Sequence, residues 1–214
     1  MARSAQGNKC VIGTLKRWPA LIATGFGAVL SAAPLLGHAE VVFHNTGETR
    51  AGAGINVDVA DGVPDDLNNP KNLFHSFSVF NVLPGEDVTF TGPETINNVI
   101  SRVTGGTSDI TGLKMSIIDG PLTSSIVGAN FYFINPNGIV IGNNAVIQVD
   151  GAFHASTADY VKLENNGIFY ADPAMGSTLQ YAAPSAFGFL NANPAPIYVG
   201  SPPAGPPGPK TSPG

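Results

Sequence analysis

The sequence contains very little cysteine, tryptophan and charge. Its one cysteine, Cys10, and its one tryptophan, Trp18, both lie near the start, and charged residues make up only 12% of the 214 residues. Beyond residue 18 the chain therefore cannot form a disulfide and depends on burial and backbone pairing. A hydrophobic content of 43% excludes an acidic disordered chain, and 26 glycines with 18 prolines favour turns over long helices.

The first 39 residues contain no acidic residue. Four basic residues precede an apolar stretch that extends over 19–36. Gly37-His38-Ala39 follows this stretch and has the small-x-small pattern of a cleavage site. This order predicts a secretory signal peptide over 1–39, with cleavage between Ala39 and Glu40. The alternative is a transmembrane anchor, since the apolar run is about long enough to span a bilayer.

Removal of this segment makes the chain strongly acidic. Four of the ten Lys and Arg residues lie within it, which leaves six against fifteen Asp and Glu residues and a net charge of about −9. A surface of this charge repels nucleic acid and anionic lipid. We therefore expect no nucleic-acid partner.

Short β-rich runs dominate the rest of the chain, whereas amphipathic helix periodicity is absent. Most runs are three to five residues long and are bounded by Gly, Asn, Asp or Pro. From residue 130 onward they recur every seven to ten residues. The runs lie at 88–90, 97–103, 115–118, 130–134, 139–141, 145–149, 160–163 and 167–170.

Short strands at this spacing suit either an antiparallel sandwich or barrel, or a β-solenoid. The asparagine-rich links favour the solenoid, because asparagine tolerates the left-handed conformation and its amide can bond the same residue one coil away. We predict an all-β fold, a right-handed parallel β-helix over 40–200. Residues 40–70 are predicted to form an N-terminal cap, and 201–214 a Pro/Gly-rich disordered tail.

Candidate catalytic carboxylates are few. The adjacent acids Asp65-Asp66 and Glu86-Asp87 both stand beside proline in turn-like sequence, and neighbours in a strand point to opposite faces. We expect solvated turn residues at both places. The acidic segment 58–66 lacks the spacing of a calcium loop.

Histidine and serine patterns are equally uninformative about catalysis. His44, His75 and His154 are scattered singly, without the paired spacing of a zinc site. No serine lies in a G-x-S-x-G elbow. We therefore predict no enzyme activity, no metal site and no cofactor.

The sequence "NPNG" at 135–138 predicts a preset turn. Pro136 presets φ for the second turn position, Asn135 can cap the turn through its side chain, and Asn137-Gly138 tolerate positive φ. The turn joins "NFYFI" to "IVI" in one register. Local chemistry alone supports a structural role.

Four stretches occur in an order that resembles a known family. The series resembles the N-terminal two-partner secretion domain, or haemagglutination activity domain, of filamentous haemagglutinin-like exoproteins, over roughly 40–200. The stretches are "NLFHSFSVFNV" (72–82), "NNVISRVTGGTSDITG" (97–112), "ANFYFINPNGIVIGNNAVIQVDGAFHASTADYV" (129–161) and "AFGFL" (186–190).

The resemblance implies a right-handed parallel β-helix with an N-terminal cap and extra-helical hairpins. It also implies recognition rather than catalysis: export by the Sec machinery, binding of the unfolded domain by the POTRA domains of an outer-membrane β-barrel transporter, and secretion to the surface or medium of a Gram-negative-type bacterium. There the domain folds and seeds the remaining β-helix. Family members are commonly adhesins, haemagglutinins or cytolysins.

Two motifs in this family are tied to secretion. The first corresponds without a gap to Asn135, Pro136, Asn137, Gly138 and Ile139, and the second has a loose counterpart in Asn69, Pro70, Asn72 and Leu73. The sequence departs from the family at Asp150, where glycine is common, and at His154, where an aliphatic residue is usual.

Three interpretations remain open from sequence. The main one is a secretion domain, whose chain here is a fragment, a truncated frame or a stand-alone domain. The others are a carbohydrate-active β-helix enzyme, which clustered carboxylates on one face would favour, and a short surface adhesin with a host glycan or protein ligand.

Overall fold

The computed structural model describes residues 38–200, so most of the predicted signal peptide and the predicted tail at 201–214 lie outside the described residues. Within 38–200 there are strands and two short 3-10 helices, and no helix is long and apolar enough to cross a membrane. The all-β prediction is confirmed. The 3-10 helices are η1 (Val59–Asp61) and η2 (Pro173–Met175). The strands are β1 (Glu40–Phe43), β2 (Thr49–Ala51), β3 (Ile55–Val57), β4 (Val63–Pro64), β5 (Asn72–Asn81), β6 (Val88–Phe90), β7 (Asn98–Val103), β8 (Ser116–Ile118), β9 (Pro121–Ser124), β10 (Asn130–Ile134), β11 (Ile139–Ile141), β12 (Val146–Val149), β13 (Phe153–Ser156), β14 (Tyr160–Leu163), β15 (Ile168–Tyr170), β16 (Pro184–Gly188) and β17 (Ile197–Val199).

Three parallel ladders form the walls of a β-helix. Sheet A contains β5, β7, β10 and β13, sheet B contains β3, β6, β9 and β12, and sheet C contains β8, β11 and β17. The chain visits A, C and B in turn, so that β7, β8 and β9 form one coil and β10, β11 and β12 form the next. The predicted parallel β-helix is confirmed.

The N-terminal end of sheet A is capped by antiparallel strands. β1 pairs with β5 on one side and with β2 on the other, and β4 also pairs with β5. Because an open strand edge is a template for unwanted pairing, this cap protects the first coil. The predicted N-terminal cap is present in β1, β2 and β4, but β3, which also lies within residues 40–70, pairs in parallel with β6 and belongs to the wall of the β-helix.

Inward-facing aromatic side chains fill the β-helix. In β10, Phe131 and Phe133 are fully buried while Tyr132 between them points outward, as the two-residue period of a strand requires. Phe131 packs edge-on against Phe90, with ring centroids 4.7 Å apart, and Phe133 packs against Phe80 at 5.1 Å. Each coil therefore contributes aromatic rings to one continuous core.

After β13 the chain leaves the β-helix and forms an antiparallel sheet, which covers the outer face of sheet A. β14 pairs with β15 and β16, and their apolar side chains pack against outward-facing residues of the coils. In sequence, the runs at 160–163 and 167–170 have the spacing of further coil strands. In the structure, both runs lie in this antiparallel sheet outside the β-helix. This second cluster consists of Phe74, Ile100, Ile134, Val161, Leu163, Phe169 and Ala171.

Arg102 joins the β-helix to this outer sheet. Its guanidinium donates to the carbonyl of Tyr170 at 2.6 Å and to Ser177 Oγ at 3.0 Å, and it donates to Ser76 Oγ at 2.8 Å. The guanidinium carbon also lies 4.5 Å from the ring centroid of Phe169. Burial lowers the pKa of Arg102 to about 10, and Asp172 acts in the opposite direction. The hydrogen bonds offset part of the cost of burying this cation.

An asparagine ladder runs across the coils at the start of the sheet A strands. Asn72, Asn98 and Asn130 are in register. Asn98 Nδ2 donates to Asn72 Oδ1 at 2.9 Å, and Asn130 Nδ2 donates to Asn98 Oδ1 at 3.2 Å. Asn72 Nδ2 also donates to the carbonyls of Gln180 and Ala182. The expected bonding of asparagine to asparagine one coil away is therefore present.

Replacement of Asn98 should break this ladder. Asn98→Ala removes both amide bonds and leaves the buried Asn72 Oδ1 without its partner, so we expect a loss of about 2 kcal/mol in the free energy of unfolding. The neighbouring exposed Asn97→Ala is the matched control and should change it by less than about 0.5 kcal/mol. Denaturant titration measures both values, and equal effects would contradict a role for the ladder.

His75 is a titratable side chain in the aromatic core. It is fully buried, its ring lies 5.9 Å from that of Phe77 and 5.4 Å from that of Phe90, and neither ring nitrogen has a hydrogen-bond partner within the described residues. A Cβ at Gly62 would lie only 2.8 Å from His75 Cε1, so glycine permits this packing. Burial lowers the pKa of His75 to about 4, and the nearby acids Asp61 and Asp58 act in the opposite direction.

The lowered pKa predicts acid sensitivity. Between an unfolded-state pKa of about 6.5 and the folded value of about 4, the unfolded chain binds a proton that the folded chain does not. Stability should therefore fall as the pH falls through this window, by up to roughly 3 kcal/mol.

His75→Phe removes the titrating group. In denaturant titrations, the free energy of unfolding of this variant relative to the wild type should therefore increase as the pH falls from 7 to 4.5. Ser101→Ala, at the paired position on β7, is a buried control without a titratable side chain. Its difference from the wild type should be the same at both pH values. A difference for His75→Phe that does not depend on pH would refute this assignment.

Candidate functional site

The Asn-Pro-Asn-Gly turn forms the corner between β10 in sheet A and β11 in sheet C. The backbone N–H of Gly138 donates to the carbonyl of Asn135 at 3.1 Å, and that of Asn137 donates to Asn135 Oδ1 at 2.9 Å. Gly138 has φ of 116°, which favours glycine, and a Cβ there would lie 3.2 Å from Met115 Cε. The turn therefore forms as its sequence predicts.

Asn135 is fully buried and connects three coils. Its Nδ2 donates to the carbonyl of Lys114 at 3.1 Å and to Ser116 Oγ at 3.0 Å, both in the preceding coil. Its backbone N–H donates to the carbonyl of Ser156 at 3.1 Å, in the following coil. A buried amide with all of its groups bonded stabilises the corner.

The other residues of this motif divide into inward and outward groups. Gly138 and Ile139 are buried with Asn135, whereas Asn137 is exposed and Pro136 is half-buried. Asn137 lies against Gly105, where a Cβ would come within 2.9 Å of Asn137 Nδ2. Pro136 and Asn137 are thus the part of the motif that a partner can contact in the folded domain.

Pro136 and Asn137 line a surface cavity of about 300 Å³. Asp159 and Asp172 also line it, and each accepts a backbone N–H: Asp159 Oδ2 from Leu190 at 2.6 Å, and Asp172 Oδ1 from Ala174 at 2.9 Å. Sequence reasoning missed these two acids. The Asp172-Pro173 pair signals a helix start, but nothing in the sequence places it beside the turn.

The second motif lies elsewhere. Asn69 is exposed and its N–H donates to Asp66 Oδ1 at 3.0 Å, while Pro70 and Leu73 are buried and Asn72 belongs to the ladder. Asn72 is in register with Asn130, at the opposite end of the sheet A strands from Asn135. Five residues of strand separate those ends, or roughly 16 Å. The structure does not bring the two motifs together.

The adjacent acids differ from each other. Asp65 accepts the N–H groups of Lys71 and Asn72 and acts as a turn residue. Glu86 is buried, with 8% of its surface exposed, so the expectation of a solvated residue is wrong there. Its carboxylate accepts bonds from the segment preceding β1, a contact between residues 47 positions apart that no sequence pattern signals.

Two departures from the family pattern have clear contacts. Asp150 Oδ2 accepts the N–H of Gly128 at 2.6 Å, and the His154 ring stacks on Tyr132 with centroids 4.4 Å apart. Tyr132 is half-buried, and burial raises its pKa. Among residues 38–200, no group of three or more His, Cys, Asp and Glu side chains is arranged to hold a metal ion.

A capped parallel β-helix with an outer antiparallel sheet and a buried asparagine corner defines the class of this protein as a β-solenoid domain. Residues 43–186 match the model of the TPS secretion domain, where TPS denotes two-partner secretion. The chain belongs to the TPS secretion domain family. Its members are secretion domains of exoproteins from Gram-negative bacteria, and membership implies a partner outer-membrane transporter in general.

One curated relative matches part of the chain. Over 94 residues, or 44% of the chain, it is 34% identical to the heme/hemopexin-binding protein of Haemophilus influenzae. The match covers only 9% of that protein's length. No solved structure matches the chain.

The burial pattern predicts opposite outcomes for two equivalent substitutions. Asn135→Asp removes the amide that donates to Lys114 and Ser116 and places a carboxylate in a buried site, so we expect a loss of about 3 kcal/mol or more in the free energy of unfolding. Asn137→Asp removes the 3.2 Å bond from Asn137 Nδ2 to Asn135 Oδ1, but its carboxylate stays hydrated at an exposed position, so it should cost only about 1 kcal/mol. Denaturant titration of the two refolded variants provides the measurement. Similar losses would contradict the division of the motif.

Proposed function

We propose that the domain is the segment of a two-partner secretion exoprotein that its outer-membrane transporter recognises, and that it has no catalytic role. The observation that carries this proposal is the exposure of Asn137 and the partial exposure of Pro136 in a motif whose other residues are buried. Packing accounts for Asn135, Gly138 and Ile139. The side chain of Asn137 makes one hydrogen bond within the motif, from its Nδ2 to Asn135 Oδ1 at 3.2 Å, and the rest of this exposed side chain is accessible to a partner.

In the simplest order of events, the transporter recognises the chain before the domain folds. In the unfolded chain all five residues from Asn135 to Ile139 are accessible, and the POTRA domains of the transporter would bind them in the periplasm after Sec export. Folding at the surface then buries Asn135 and Ile139 in the corner. Their burial favours release of the chain from the transporter, because the folded domain withholds most of the motif.

The last coil supports a second part of the proposal, the seeding of further β-helix. Within the described residues, β12, β13 and β17 each pair with a single parallel neighbour, so each presents an open edge. Half-buried apolar side chains, including Ile147, Val149 and Phe153, pack against the core at this end. A following coil would bury these side chains and satisfy the open ladders.

Adhesive or haemagglutinin-like activity is also a proposal. The relative's printed name concerns heme and hemopexin, but the match covers 9% of that protein, so neither ligand is assigned to this domain. A carbohydrate-active enzyme gains no support from Asp159 and Asp172, since both carboxylates accept backbone N–H groups as turn caps.

Co-expression with and without the cognate transporter tests the main proposal. We expect the full chain in the medium only when the transporter is present, and in the periplasm otherwise, with the signal peptide removed in both cases. Immunoblots of the medium and of periplasmic extracts measure the two pools. Secretion that does not depend on the transporter would exclude the proposal.

Within the same assay, Asn137→Asp or Pro136→Ala should reduce export at least tenfold while the free energy of unfolding falls by only about 1 kcal/mol. Asn191→Asp, at another exposed turn asparagine whose Oδ1 accepts a backbone N–H, is the matched control and should be exported normally. Equal losses of export and stability at position 137 would leave only a structural role for the motif.

A further inference from the structure

Two buried carboxylates flank the start of β1. Glu40 is 4% exposed and Glu86 is 8% exposed. The Glu40 carboxylate accepts a bond from Ser108 Oγ and from the N–H of Asp109 at 3.1 Å. The Glu86 carboxylate accepts the N–H of Ala39 and lies 3.1 Å from His38 Nδ1. The bond between Ala39 and Glu40 therefore lies beside two acids in the N-terminal cap.

A preset turn positions Glu86. Pro84 and Gly85 occupy its central positions, Gly85 has φ of 84°, and the N–H of Glu86 donates to the carbonyl of Leu83 at 3.1 Å. This is the pattern of a type II turn, which suits proline followed by glycine. A Cβ at Gly120 would overlap the carbonyl oxygen of Glu86, so glycine there lets the next coil pack closely on the turn. Glu86 is held in place rather than free to reach solvent.

No lysine or arginine forms an ion pair with either acid within residues 38–200. The ion pairs found there join His38 to Glu86, and Arg50 to Glu48 and Asp61. His38 is itself largely exposed, with 68% of its side chain accessible. Cleavage after Ala39 removes both His38 and Ala39, and so removes both of the bonds to Glu86 described above. A buried carboxylate without a partner is strongly unfavourable.

We infer that Glu86 is the receptor for the α-ammonium group of the mature N-terminus at Glu40, so that removal of the signal peptide completes the N-terminal cap. This inference rests on the proposed cleavage between Ala39 and Glu40. The cut that removes the two partners of Glu86 creates a cation one residue along the chain. Consecutive Cα atoms are about 3.8 Å apart, so the new ammonium lies close to the vacated position of the Ala39 N–H.

The consequence is a fold whose stability depends on processing. In the unprocessed chain, Glu86 accepts a neutral N–H from Ala39. In the processed chain it would accept a charge-assisted bond, which is stronger than a neutral one in a buried site. The Glu40 carboxylate lies beside the same ammonium and adds to the attraction. β1 pairs with both β2 and β5, so a better-held β1 stabilises the edge of sheet A.

The test uses the full processed chain, recovered from the periplasm of cells that lack the transporter and then refolded. Mass spectrometry identifies its first residue. Selective acetylation of the α-amino group at mildly acidic pH then removes the charge without any substitution. Unfolding equilibrium constants are measured by denaturant titration for the wild type, Glu86→Gln and the exposed control Glu94→Gln, each with a free and an acetylated terminus.

We expect the chain to begin at Glu40, and acetylation to raise the unfolding constant of the wild type and of Glu94→Gln about tenfold, but that of Glu86→Gln less than about twofold. The inference is overturned if the chain begins elsewhere, if acetylation leaves the wild type unchanged, or if it affects Glu86→Gln equally. Since no transporter takes part, these outcomes are independent of the secretion assay.

Discussion

Bonding of buried asparagine amides from one coil to the next is the interaction on which this fold most depends. A strand that slips by one residue turns its inward side chains outward, and the asparagine bonds oppose such a slip together with the burial of the apolar face of each strand. The ladder of Asn72, Asn98 and Asn130 sets the register at one end of sheet A, and Asn135 sets it at the other. The stacked aromatic core follows from that register, since rings in neighbouring coils meet only when the coils are aligned.

The same constraint bears on how one short motif would serve both packing and the recognition that we propose. A buried corner needs an asparagine that donates and accepts in fixed directions, a glycine with positive φ, and an aliphatic residue that enters the core. Asn135, Gly138 and Ile139 meet those needs, while Pro136 and Asn137 remain at the surface. Packing thus constrains the first residue and the last two residues of the motif, and the two residues between them stay accessible for the recognition that we propose. In the unfolded chain the two sets are not separated, and a transporter could bind both.

Much of the fold could be predicted because its determinants are local. Strands such as β10, β11 and β14 have the bounds that their β-branched and aromatic runs indicate, and the Asn-Pro-Asn-Gly turn has the conformation that its residues favour. The sheet that a given strand joins was less predictable. Runs at 139–141 and 160–163 look alike in sequence, yet the first continues the coil and the second joins an outer antiparallel sheet.

The sequence by itself determined the strand content, the turns and, through motifs in series, the family, because each of these depends on residues close together in the chain. Only the tertiary structure decided which acids are buried and what surrounds the turn. From its local sequence, Glu86 is predicted to be a surface turn residue. In the structure it is buried and accepts a bond from Ala39, 47 positions away. Asp159 and Asp172 come near Pro136 and Asn137 only because the chain leaves the β-helix after β13 and folds back against its outer face. Burial and long-range proximity depend on the packing of the whole chain, which no local pattern contains.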